Sequence, residues 1–222
     1  MTLLLRAIVS AEDTGVATDL GLEAVPATGV AALASPWEAG GTAGEAELLD
    51  HHRIIQGIFG QVPCLPARFG SVFPDSDALR ARLAARERDL ASQLARLGHR
   101  CELAITCAWR DSGAPLPATN VSASTGRAYL ERGVARSRTQ KERQRRAEEI
   151  VARLLGELTV EPAFIRHRTC PRPAVAVSMS ALVTRDEIDE INSRLERLGA
   201  QLPDVTTVVQ GPWAPYTFAV SE

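Results

Sequence analysis

The chain has 222 residues and a formal net charge of −2, so the molecule as a whole has no electrostatic reason to seek nucleic acid or anionic lipid. Hydrophobic residues make up 45% and charged ones 23%, enough apolar surface for a globular core. No run of ~18 uninterrupted apolar residues occurs, which excludes a bilayer-spanning helix, and the length fits one large domain or two small ones.

Met1 to Val9 lacks the basic start of a signal peptide, and Glu12 and Asp13 cut its apolar run short, so a cytoplasmic chain is expected. Leu3 to Val9 reads as a buried strand. Glu23 to Pro26 and Gly29 to Ala34 read as two short strands or a hairpin around Ala27-Thr28, and Pro36 to Gly44 as a loop. From Glu45 the period becomes helical, with Leu48, Leu49, Ile54, Ile55 and Ile58, and Pro63 supplies a stop. Cys64 to Val72 is a short extended segment. Asp75 or Ser76 caps a second helix carrying Leu79, Leu83, Leu90, Leu94 and Leu97 on one face, and Gly98 ends it. Glu102 to Trp109 alternates as a strand.

The second half follows a stretch rich in small and turn residues. The predicted division is an α+β domain over 1–111 of modified ferredoxin-like fold, a linker over 112–124, and a second α+β domain over 125–222. Thr125 to Leu158 is one long helix or two joined near Ser137 to Gln140. Strands are expected around Glu161 to Arg168 and Ala174 to Val183. Thr184 and Glu187 suit a capping box for a helix through Leu198, and Val205 to Gln210 closes as a strand. No internal repeat stands out.

Four cysteines, Cys64, Cys101, Cys107 and Cys170, contain no CxxC pair and are expected reduced and buried. Glu47 and His51 are four apart on one helical face and form the strongest catalytic candidate. The adjacent His51 and His52, however, point ~100° apart and cannot easily share a metal ion. His167 near Cys170 suggests a Cys–His pair, but prolines constrain it and no orienting acid is near. No nucleophile elbow, P-loop or dinucleotide fingerprint occurs. The basic run from Arg132 to Arg146 could serve a nucleic-acid module. It has no aromatic for base stacking and carries interleaved glutamates, so a solvated helix facing an acidic protein partner fits better.

Three segments mix aromatics, prolines and glycines in ways composition does not explain. They are Leu65-Pro-Ala-Arg68-Phe69-Gly70, the helix start Gly126 to Tyr129-Leu130, and Gly211-Pro-Trp213-Ala-Pro-Tyr216-Thr-Phe218. With the histidine-bearing helix at His51-His52-Arg53-Ile54 and the acidic Glu102, they resemble the gas vesicle GvpF/GvpL family from about residue 3 to 220. Two departures are Ala214, where a third proline is common, and Thr106, where a lysine is common. The resemblance implies a two-domain α+β protein acting in gas vesicle formation. It further implies binding to the small hydrophobic shell protein, with no reaction and no cofactor. Other gas vesicle accessory proteins are further expected partners, and membrane and nucleic acid are not. The residues expected to bind a partner or to clasp the two halves together are Arg68, Phe69, Trp213 and Tyr216.

Overall fold

Six apolar side chains surround one arginine in strand β1, Leu3–Ser10, and the strand is buried almost throughout, as continuous apolar runs are when both faces of a sheet are covered. This computed structural model describes residues 1–38, 44–110 and 126–219. The chain is α+β, with two antiparallel sheets. It forms two compact units, the first made of Met1–Glu102, Leu182–Arg185 and Pro212–Glu222, the second of Leu103–Ala181 and Asp186–Gly211. The expected linker over 112–124 lies outside the described residues.

In the first unit β1 is followed by a short helix α1, Gly15–Asp19, which periodicity in the sequence is too brief to reveal. Strands β2 (Glu23–Pro26) and β3 (Val30–Pro36) form the hairpin, closed by the bond from Ala27 N–H to the Val30 carbonyl. Helix α2 (Glu45–Gln61) begins where the Glu47 carboxylate accepts the Gly44 N–H at 3.1 Å, and it ends before Pro63. Two-residue strands β4 (Leu65–Pro66) and β5 (Val72–Phe73) both pair with β1, so the extended segment expected there is two brief contacts joined by a turn. The sheet order is β2-β3-β1-β4, which leaves Pro66 on an edge strand, where a missing N–H is tolerated.

Helix α3 (Ser76–Leu97) is capped by Asp75, whose carboxylate accepts the Ala78 N–H at 2.8 Å, and Gly98 at φ +51° takes the chain out of it. Its sequence is strongly charged, so packing holds it. Leu79, Leu83, Leu90 and Leu97 are buried, each stabilising by roughly 1.5–3 kcal/mol relative to exposure.

Strand β6 (Cys101–Trp109) opens the second sheet. Cys101, Leu103, Ile105 and Cys107 are buried at alternate positions, and Cys107 Sγ lies 3.6 Å from the Thr207 hydroxyl. A single helix α4 (Gly126–Glu157) follows, buried along Ala147, Ile150, Val151 and Leu154 in its second half. Then come β7 (Ile165–Arg172), β8 (Val175–Val183), α5 (Ile188–Ala200) and β9 (Val205–Trp213). The turn after Thr184 is a 3-10 turn, Arg185–Glu187, so α5 proper starts one turn later than its expected cap implies. The order is β7-β8-β6-β9. Both units therefore thread β-α-β-β-α-β with the second strand outermost, then the third, the first and the fourth. They differ in detail, because the first unit has a five-residue α1 and a two-residue β4 where the second has long elements.

Candidate partner-binding site

The site begins with an irregularity in β1. Leu5 pairs with Ala34 and Ala7 with Leu33, so Arg6 is one extra residue in the strand. Such a bulge re-aims a side chain, and here it turns a guanidinium into the interior of the first unit. Arg6 is only 7% exposed; its Nε donates to the Ser35 hydroxyl at 3.0 Å and its Nη2 to Asp50 at 3.5 Å. Its Nη1 donates to His51 Nδ1 at 3.2 Å.

His51 is 2% exposed, and its Nε2 donates to the Ala67 carbonyl at 3.0 Å. A carbonyl only accepts, so the proton sits on Nε2 and Nδ1 is the acceptor that the arginine needs. Burial lowers the imidazole pKa, and the neighbouring Arg6 charge lowers it further, against the opposing effects of the Ala67 bond and Asp50. Both ring nitrogens are thus committed in the neutral form. That geometry leaves His51 no lone pair for a metal or a proton transfer, and Glu47 points instead to the start of its own helix.

The Leu65–Gly70 segment is built around this pair. Leu65 and Pro66 pair with β1, and the Ala67 N–H donates to the Arg6 carbonyl at 2.9 Å. A turn then closes from Ser71 N–H to the Arg68 carbonyl at 3.2 Å, with Gly70 at φ +88°. That backbone state strains any side chain, which explains a glycine after Phe69. The turn sets Phe69 edge-on to His51 at 5.2 Å and to Trp37 at 6.1 Å, and leaves Arg68 exposed.

His52 serves the C-terminal tail in the same way. Trp213 meets its ring edge-on at 5.3 Å, and Tyr216 stacks on it at 6.1 Å with its hydroxyl 3.4 Å from Nδ1. Burial pushes the Tyr216 phenol up to about 12. Beyond it, Thr217 donates from both its N–H (2.8 Å) and its hydroxyl (2.5 Å) to the buried Glu102 carboxylate. Ala214 and Phe218 are buried, and the Phe218 carbonyl accepts from Arg96 at 3.4 Å. The adjacent histidines of α2 thus diverge, one to each motif.

Of the four expected site residues, Phe69, Trp213 and Tyr216 are half-buried around α2, and Arg68 is exposed on the turn beside Phe69. One turn earlier on α2, Leu48 and Leu49 are 50% and 60% exposed. Leu48 shares the helix face of His52, so apolar surface continues from the aromatic cluster. Arg6, His52, Trp37 and Thr217 were not among the expected residues. A single charge inside an apolar strand was the available signal for Arg6.

The other sequence candidates lie elsewhere. His167 is exposed on β7, while Cys170 is half-buried at a bulge with φ +47°. Cys64, Cys101 and Cys107 are buried, and burial pushes the Cys64 thiol up to about 12. Among the described residues no three His, Cys, Asp or Glu side chains converge on a metal site, and no helix is long and apolar enough to cross a membrane. Within the basic run, Arg146 forms a two-pronged bond to Asp204 at 2.7 and 2.9 Å, and Arg145 pairs with Glu149 at 2.6 Å. The bond from Arg146 holds the Asp204 carboxyl below the usual range. The side chains of Arg132, Arg136 and Tyr129 lie outside the described residues.

The profile of a family described as gas vesicle synthesis protein GvpL/GvpF matches residues 5–220. The fold is similar to the crystal structure of the gas vesicle protein GvpF from Anabaena sp. PCC7120, with a TM-score of 0.75 and 17% identity, covering 100% of this chain and 97% of that one. It is similar also to GvpF from Microcystis aeruginosa, with a TM-score of 0.72 and 14% identity over 99% of each chain. At these identities the structural likeness carries the fold alone. No curated protein matches the chain in sequence.

Proposed function

The chain belongs to the gas vesicle synthesis protein GvpL/GvpF family, and from that membership we propose that it binds the hydrophobic vesicle shell protein and limits its aggregation during nucleation. The reading makes it an assembly factor or minor structural component of the cytoplasm and the vesicle, working without catalysis or cofactor. The observation that carries it is the half-exposed aromatic surface of the first unit, Phe69, Trp37, Trp213 and Tyr216, extended by Leu48 and Leu49 on α2. Exposed large apolar side chains standing next to one another mark interaction surfaces, whereas scattered ones do not. Arg68 at its margin adds a charge that sets orientation more than affinity. The surface shields an apolar or strand-edge region of the shell subunit until that subunit joins a growing rib.

The test is co-purification with the shell protein at several salt concentrations, together with turbidity of shell protein alone and mixed. Association should survive high salt, because apolar burial is not screened. The double variant Leu48→Ser, Leu49→Ser should lose association while its melting temperature stays near that of the parent, since both positions are exposed. Absence of association by the parent protein at every salt concentration sinks the proposal.

A further inference from the structure

Helix α4 and strand β7 bring together two basic stretches that are far apart in the sequence. Gln144 Nε2 donates to the Thr169 hydroxyl at 2.8 Å and fixes the helix against the strand. Arg138 and Lys141 on α4, and Arg168 and Arg172 on β7, are exposed with no carboxylate partner among the described residues. β7 is an edge strand of its sheet. Charges and prolines on an edge strand also discourage sheet-to-sheet pairing, but that role needs no cleft.

A cleft is present. About 190 Å³ of open cleft is bordered by Trp109, Gln140, Arg143, Cys170 and Arg172 together with the flanking prolines; no acidic side chain lines it, and the nearest charges acting on Cys170 are Arg143 and Glu148. The Arg143 guanidinium lies 5.7 Å over the Trp109 indole and donates to the Pro173 carbonyl at 3.4 Å, so its position is set before any ligand arrives. The bulge between Thr169 and Arg172 forms the far wall. Within it Cys170 holds φ +47°, a left-handed state that a non-glycine residue adopts at a cost and that clusters where strain serves function.

We infer that this cleft docks the carboxylate side chains of an acidic protein segment. Two guanidinium groups and an amide around a small concavity match a carboxylate, which accepts such donors two at a time. Nucleic acid fits worse. Arg143 already lies over the Trp109 ring, and Glu142, Glu148 and Glu149 interrupt the helix stripe along which an extended phosphate backbone would run, whereas a single carboxylate needs only the cleft. This partner contact uses charge, where the shell-protein contact uses apolar burial, so each can fail without the other.

Fluorescence anisotropy with the full-length protein tests the inference, using fluorescein-labelled hexaglutamate and a single-stranded oligothymidylate of equal charge. Hexaglutamate should bind at low salt, bind more tightly than the oligonucleotide, and weaken at about 0.3 M salt. Arg172→Ser should weaken it about fivefold or more, as loss of one charge-assisted contact does. Arg88→Ser, an exposed arginine of α3, should leave it unchanged. No hexaglutamate binding at low salt, equal or tighter oligonucleotide binding, or equal effects of Arg172→Ser and Arg88→Ser would each overturn it.

Discussion

Replacing His51 by alanine removes three interactions from one place. Arg6 Nη1 loses its acceptor, the Ala67 carbonyl loses its donor, and Phe69 loses the ring it meets edge-on. A buried bond to a charged group contributes about 1.5–3 kcal/mol and a neutral one about 1. The ring contact adds about 0.5–1.5 kcal/mol. Arg6 keeps Ser35 and Asp50, so the losses overlap and a net cost of about 3–4 kcal/mol is expected. At about 2–4 °C per kcal/mol for a chain of this length, the melting temperature should fall by roughly 10 °C. Thermal denaturation followed by circular dichroism, near pH 7.5, measures it on four proteins: the parent, His51→Ala, Arg6→Met, and the double variant. The double variant should be more stable than the summed single losses predict, by about 1.5–3 kcal/mol, because removing both partners leaves no orphaned charge. A fall below about 2 °C in the single variant, or strict additivity in the cycle, refutes the reasoning.

The same pair sets a pH dependence. The His51 pKa is lowered on folding, so the unfolded chain binds the proton more readily. Stability from this group is complete above the ordinary histidine value of about 6.5, falls as pH drops below it, and levels off below the folded pKa. Burial chiefly, with charged Arg6 and the adjacent His52, deepens the loss, whereas the Ala67 bond and Asp50 limit it; urea midpoints measured between about pH 7.5 and 5 should show the slope, and His51→Ala should remove it. Glu102→Gln weakens the two bonds that hold Thr217, at about 1.5–3 kcal/mol, and limited proteolysis should then cut the C-terminal tail faster than in the parent. Gly70→Ala meets no atom within 4 Å but must hold φ +88°, so the melting temperature should drop by a few degrees for a strain of about 1–2 kcal/mol. An unchanged melting temperature would show that the turn relaxes.

Local features were readable from the residues alone. The caps at Asp75 and Gly98, the leucine spacing of α3 and the alternation of β6 are properties of neighbours in the chain, and each element stands where they put it. The brevity of β4 and β5 was not readable, because those strands exist only through hydrogen bonds to β1. The shared connectivity of the two units was hidden for a related reason. Strand order constrains which edges meet and leaves the side chains free to diverge, so no repeat survives in the residues. At the site, the aromatic segments stood out by composition, but their anchors did not. Arg6, His52 and Thr217 owe their roles to partners 45, 164 and 115 positions away. His51 drew attention as a candidate catalyst on its chemistry, while its geometry spends both nitrogens on holding the interior together.

The first unit is discontinuous in sequence, since Pro212–Glu222 belongs with Met1–Glu102. A ribosome makes the chain in one direction, so Glu102 is synthesised long before the Thr217 that will cover its carboxylate. During that interval the Glu102 carboxylate lacks the two donors of Thr217, and the place of Phe218 is unfilled. Everything between is made meanwhile, and the second unit has all its strands before the first receives its last piece. The aromatic surface around His52 is thus completed only after the second unit has been synthesised, which ties the maturity of that surface to the synthesis of the whole second unit. A chain truncated before Trp213 would keep nearly all its secondary structure yet lack the residues that close the first unit.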